Sequence, residues 1–157
     1  MLKNSITVST LMALSFCLYS QSLVKLDELQ KLLNEPGKIK VVNFWATWCG
    51  PCVKELPYFE KVNRDNKKID VLLVSMDFDL DPNPEKVKKF IVRKKLESKV
   101  VILEEENPND WIDKIDKAWG GALPSTLIIN PANKKRKFVE GELKEGELEK
   151  LIEEISK

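Results

Sequence analysis

The sequence predicts an α/β domain with a mixed central sheet and helices on both of its faces. Residues 69–76, Ile-Asp-Val-Leu-Leu-Val-Ser-Met, form a nearly continuous apolar run, the pattern of a parallel strand covered on both sides. Strand-type runs at 39–46, 69–76, 100–103 and 126–130 alternate with segments of helical spacing at about 50–64, 84–96 and 110–119. Asn130-Pro131-Ala132-Asn133 then reads as a hairpin turn into an antiparallel edge strand, Arg136 to Glu140.

At 157 residues the chain has room for one domain with a real core. It is 43% apolar and 32% charged, and Lys plus Arg (26) nearly balance Asp plus Glu (25). No global field therefore points to nucleic acid or an acidic membrane as partner. Histidine is absent, which removes Ser-His-Asp and Cys-His catalysis and His-ligated zinc or haem together. Three cysteines remain to carry distinctive chemistry.

Residues 1–20 read as a secretory signal: Lys3 is the only charge, and an apolar stretch from Ile6 to Leu18 leads to Ser20-Gln21-Ser22. The stretch is short and polar-flanked for a permanent membrane helix. Cleavage near Ser20 leaves residues 21–157 as a soluble extracytoplasmic domain. Leu14-Ser15-Phe16-Cys17 loosely resembles a lipoprotein processing site, but Phe16 stands where a small residue is expected. Cys17 is accordingly read as part of the apolar signal, not as a lipid anchor. Cys49 and Cys52 alone cannot supply a four-thiolate metal site. Their two-residue loop restrains little of the unfolded chain, which favours a redox role over a structural one.

In the mature region, Leu26, Leu29 and Leu33 share a helical face that stops at Asn34-Glu35-Pro36-Gly37. The strand at 39–46 leads through a polar turn to Cys49-Gly50-Pro51-Cys52 and a helix with Leu56, Phe59 and Val62 inward. Pro57 lies inside that helix, where it removes a backbone donor. After the strand at 69–76, Asp77 to Pro84 alternates acids in the manner of a calcium loop. Pro82, however, stands where such a loop needs glycine, and Lys88 where it needs glutamate. This is read as a plain loop, with Asn83 as N-cap and Pro84 at the first helical position. Val87, Phe90 and Ile91 face inward from the next helix, and its basic face is a solvated surface without an interleaved aromatic platform. Beyond the acidic loop 104–109, a helix over about 110–119 is expected to bury Trp111 or Ile112, Ile115, Ala118 and Trp119. Gly120-Gly121 should then bring Trp119 close to the rim of the cysteine site. The last helix, from about 145, aligns Leu148, Leu151, Ile152 and Ile155.

The cysteines stand where a strand meets a helix N-terminus, whose free N–H groups and dipole favour an anion, so Cys49 should ionise more readily than a free thiol. A bare CxxC would also fit zinc or an iron–sulfur cluster. Trp48-Cys49-Gly50-Pro51-Cys52 after a hydrophobic strand, however, resembles the thioredoxin superfamily. The longer run Asn43-Phe44-Trp45-Ala46-Thr47-Trp48 through Glu55-Leu56-Pro57 is similar to its TlpA/ResA-type extracytoplasmic branch. Pro57 stands at an offset from the cysteines that thioredoxin-like proteins share.

That resemblance implies a thioredoxin-like fold, with the helix and strand over 84–103 as an inserted unit, and thiol-disulfide oxidoreductase activity without cofactor or metal. It implies Cys49 as nucleophile, its pKa near about 7 or below, and Cys52 as resolving thiol. Asn43 replaces the titrating aspartate of thioredoxin. Glu55, one helical turn from Cys52, is the substitute base, and if partly buried its pKa should rise toward neutrality. On sequence alone, a solvent-facing Glu55 stays open. Pro124 is expected in cis, turning the Leu123 backbone toward the cysteines so that an extended substrate can pair with it. Trp45 and Trp48 are expected to shape the surface around Cys49, unless their bulk simply packs. Gly50-Pro51 is similar to the reducing members near about −270 mV, not to the oxidants near about −120 mV. The implied partners are disulfide-containing exported proteins, apocytochromes among them, and a membrane thiol electron donor. A disulfide oxidant and a redox-inert binding module remain as alternatives. A peroxide-reducing redoxin lacks support, because no threonine-rich loop precedes a lone cysteine.

Overall fold

The computed structural model describes residues 22–157. The signal-type segment 1–20, with Cys17, lies outside the described residues. The elements are β1 (Ser22–Val24), α1 (Leu26–Asn34), β2 (Ile39–Trp45), α2 (Gly50–Asp65), β3 (Ile69–Ser75), α3 (Pro84–Lys94), β4 (Lys99–Leu103), α4 (Ile112–Ile115), β5 (Ser125–Asn130), β6 (Lys135–Glu140) and α5 (Glu147–Ser156). They form one six-stranded sheet in the order β1-β4-β3-β2-β5-β6. The first four strands in that order run parallel, and β5 and β6 each pair antiparallel with the strand before. The mixed sheet is therefore the one expected, with α3 and β4 inserted between β3 and the antiparallel half.

Strand β2 sits at the centre because its side chains are apolar on both faces. Val41, Val42, Phe44 and Trp45 are wholly buried. Successive residues point to opposite faces. Asn43 and Trp45 meet Glu55 of α2 and Phe90 of α3 on one face, and Phe44 meets Trp119 on the other. Right-handed crossovers demand this division. The steps β2 to β3 and β3 to β4 run toward one edge and put α2 and α3 together, whereas β1 to β2 runs back and puts α1 opposite. Helix α5 joins α2, and Lys61 reaches Glu149 at 2.9 Å.

The structure corrects the sequence reading in two places. Strand β1 was not expected; it pairs with β4, and the Glu104 N–H extends the pairing to the Val24 carbonyl at 2.9 Å. The helix expected over 110–119 is only α4, preceded by a 3-10 turn at Pro108–Asp110. Asp116 ends it by going extended (φ −155°, ψ 132°) and accepting the Ala118 N–H at 3.0 Å, a local bond that competes with the helical one. Ala118 is consequently exposed. Trp119 lies in the core, 4% exposed, with its Nε1 on the Ala122 carbonyl of the loop before Pro124.

Candidate active site

The path to the cysteines begins where β2 ends. The turn Ala46–Trp48 is closed by a Cys49 N–H to Ala46 carbonyl bond of 3.2 Å. It is tied to the end of β3 by Asp77, which is buried and accepts from the Thr47 N–H at 2.9 Å, the Thr47 hydroxyl, and the Ser75 hydroxyl at 2.9 Å. The sequence reading gives Asp77 no role beyond a plain loop. The available signal was its position: an acid directly after the buried run of the strand that neighbours the motif strand.

Cys49 is the N-cap of α2, with extended backbone (φ −83°, ψ 103°), and its Sγ accepts from the Cys52 N–H at 3.3 Å. Pro51 fits in the first turn because no intrahelical partner awaits an N–H there. The two sulfurs form a disulfide. Cys49 keeps 7% exposure and Cys52 none, so a partner can approach only the first sulfur. Around it Trp48 is half exposed and Gly50 and Pro51 are exposed. Trp45 is wholly buried against Phe90, so of the two tryptophans only Trp48 forms surface at the motif.

The Leu123–Pro124 peptide is cis. Pro124 is buried and Leu123 half-buried, immediately before β5, whose Ser125 pairs with Phe44 of β2. Chain connectivity thus brings Leu123 and Pro124 to the same end of the sheet as the cysteine turn. Four bonds hold their loop: Trp119 Nε1 to the Ala122 carbonyl at 3.0 Å, Ser125 Oγ to the same carbonyl at 2.9 Å, the Gly120 N–H to Glu140 at 2.7 Å, and the Gly141 N–H to the Pro124 carbonyl at 2.9 Å. Gly121 has φ +90°, a conformation in which a side chain is strained.

Glu55 lies one turn beyond Cys52 on α2 and is wholly buried, which removes the solvent-facing alternative. Its carboxylate accepts from Asn43 Nδ2 at 2.7 Å and from the Leu143 N–H at 2.7 Å. Burial pushes its pKa up to about 7; the two donors only partly offset this, and Glu142 nearby adds to the rise. A buried carboxyl balanced between its two forms at neutral pH can take or give a proton there. Leu143, a contributor that sequence reasoning missed, acts through its backbone and so leaves no side-chain signature.

A thioredoxin-type sheet that delivers a closed CxxC pair to a helix N-terminus defines a thiol-disulfide oxidoreductase. Comparisons agree with that class. A profile described as the AhpC/TSA family matches residues 12–137. The proteins named Thiol-disulfide oxidoreductase ResA of Geobacillus thermodenitrificans and Bacillus thuringiensis subsp. konkukian are 30% and 31% identical to this chain over 128 and 127 residues. Each alignment covers 80% of this chain, which spans 67% and 68% of those two relatives. The crystal structure of a thioredoxin-related protein from Neisseria meningitidis serogroup B superposes with a TM-score of 0.67 at 24% identity, over 80% of this chain and 90% of that one. The chain belongs to the AhpC/TSA family, within the thioredoxin superfamily.

Proposed function

We propose that the chain is an extracytoplasmic protein-disulfide reductase. Residues 1–20 act as its secretory signal and residues 21–157 as the working domain. Its substrates are disulfides of exported proteins, apocytochromes among them, and a membrane-embedded thiol donor resets it. The observation that carries the reading is the Cys49–Cys52 pair at the N-terminus of α2, with only Cys49 accessible and Glu55 buried one turn behind.

In the reduced protein, the Cys49 thiolate attacks a partner disulfide. A Cys49–partner bond forms, the partner S–S bond breaks, and one partner sulfur leaves as thiolate. Cys52 then gives its proton to the Glu55 carboxylate and attacks Cys49, forming the intramolecular disulfide and expelling the second partner thiolate. Two electrons pass from the dithiol to the partner. Trp48, Gly50 and Pro51 contact the partner beside Cys49, and the Leu123 backbone, set by Pro124, pairs with its extended segment. Gly50-Pro51 supports the reducing direction.

Equilibration of the pair against thiol-disulfide buffers tests this reading. A potential at or below about −250 mV is expected; a value above about −150 mV would make the protein an oxidant. Absence of any reversible two-electron transition would leave a redox-inert binding module. Cys52→Ser should accumulate a mixed disulfide with the partner through Cys49, and Cys49→Ser should accumulate none.

A further inference from the structure

The Asn43 side chain lies wholly inside the central strand, and only one end of its amide is used. Its Nδ2 donates to Glu55 Oε1 at 2.7 Å, with longer contacts of 3.3 Å to Thr126 Oγ1 and 3.5 Å to the Ser125 carbonyl. Its Oδ1 accepts no hydrogen bond among the described residues. Buried polar atoms are nearly always paired, so an orphaned acceptor beside a titrating carboxyl calls for a reason.

The chemistry of the carboxyl supplies one. An ionised Glu55 is acceptor-only, and both groups that face it, Asn43 Nδ2 and the Leu143 N–H, are donors. A neutral Glu55 carries a proton that itself needs an acceptor. The Leu143 N–H can only donate. An amide can do either, because half a turn about its last torsion exchanges Nδ2 for Oδ1 at nearly the same position.

We propose that Asn43 is a positioning residue that reverses its amide as Glu55 gains and loses its proton, donating to the carboxylate and accepting from the acid. This rests on the reading of Glu55 as the group that exchanges the Cys52 proton. During resolution the balance is closed: the proton leaves Cys52 Sγ for Glu55, the Cys49–Cys52 bond forms, the partner sulfur departs as thiolate, and Oδ1 receives the new O–H as a hydrogen bond. Asn43 does not touch the reacting sulfurs; it keeps both forms of Glu55 hydrogen-bonded, where a fixed donor would serve only the anion. The Thr126 hydroxyl can follow by donating to Oδ1. The charged groups that bear on Glu55 are Glu142 and Lys144, on the loop that also supplies the Leu143 N–H. Asn43 on β2 and Thr126 on β5 are uncharged.

The test uses the full chain in its oxidised form, where neither cysteine titrates. The Glu55 carboxyl carbon and the Asn43 side-chain amide are followed by NMR from about pH 5.5 to about pH 8.5. Both should move with one shared midpoint near 7. The cross-relaxation between the Asn43 NH2 protons and the Thr126 side chain should be present at the alkaline end and lost at the acid end. In Glu55→Gln the amide should hold one orientation throughout. If Glu55 titrates while that cross-relaxation persists unchanged, the reversal is wrong and the role of Glu55 stands. Loss of the cross-relaxation with pH in Glu55→Gln would equally overturn it. If Glu55 shows no midpoint in the range, the reading of Glu55 as proton acceptor fails and takes this inference with it.

Discussion

At the scale of single residues, Glu55 gives the protein a measurable dependence on pH. Its pKa stands near 4.5 in the unfolded chain and near 7 when folded, the rise coming first from burial. Between those values the folded state holds a proton that the unfolded state has lost, so stability falls as pH rises from about 4.5 to about 7 and is level beyond. The full effect is about 3 kcal/mol. Urea unfolding at about pH 5 and about pH 8 should show that loss in the native sequence and a much flatter response in Glu55→Gln. Equal pH responses of the two proteins would mean that Glu55 is not held as described.

Between elements, two buried charges act as joints. Asp77 fastens the turn before Cys49 to the end of β3 through Thr47 and Ser75. At the far end of the same pair of strands, Lys40 of β2 faces Asp70 of β3, and its ammonium reaches Asp70 at 2.9 Å and Glu35 at 3.1 Å. The Lys40 side chain is only 7% exposed while its partners are 47% and 53% exposed. Burial lowers its pKa, but the two carboxylates outweigh burial and the net direction is upward. The contribution is present below the unfolded value of 10.5 and is lost as pH rises beyond it. Removing one partner should therefore cost more than removing the lysine. Asp70→Asn is expected to lose about 1–3 kcal/mol, whereas Lys40→Met, which leaves two hydrated carboxylates and a packed side chain, should stay within about 1 kcal/mol of the parent. Denaturant midpoints of the two variants decide it, and the reverse ranking would refute the assignment.

For the whole molecule, Trp119 is where the sheet, the α4 segment and the cis-proline loop meet. Its ring packs on Phe44, Trp111 and Phe138 with centroids 4.4, 5.6 and 5.8 Å away, and its Nε1 holds the Ala122 carbonyl. Trp119→Ala should cost about 3–5 kcal/mol. Trp119→Phe keeps most of the packing and loses the bond to Ala122, an effect nearer about 1 kcal/mol in stability. Thermal unfolding measures the first. The second should also appear as faster amide exchange across 120–124, and unchanged exchange there would show that the loop does not depend on this bond.

The order of strands and helices, the cysteine pair at a helix start and the N-cap at Asn83 were legible in the sequence. Each rests on residues that are neighbours along the chain: apolar runs, a turn dipeptide, a capping side chain. Pro57 inside α2 was legible for the same reason. Tertiary structure decided the rest. Three residues of β1 carry no periodicity and become a strand only because β4 offers an edge. The Asp77 bond to Thr47, the Asn43 bond to Glu55 and the Leu143 N–H bond to Glu55 span 30, 12 and 88 positions, so sequence could mark Asp77 and Asn43 but not their partners, and left the Leu143 N–H unmarked. Glu55 was found in sequence by its spacing from Cys52, but its proton affinity comes from burial between α2, β2 and the loop before α5. Sequence determined which residues could do the chemistry; packing decided what surrounds them, because desolvation and hydrogen-bond partners are properties of position in space.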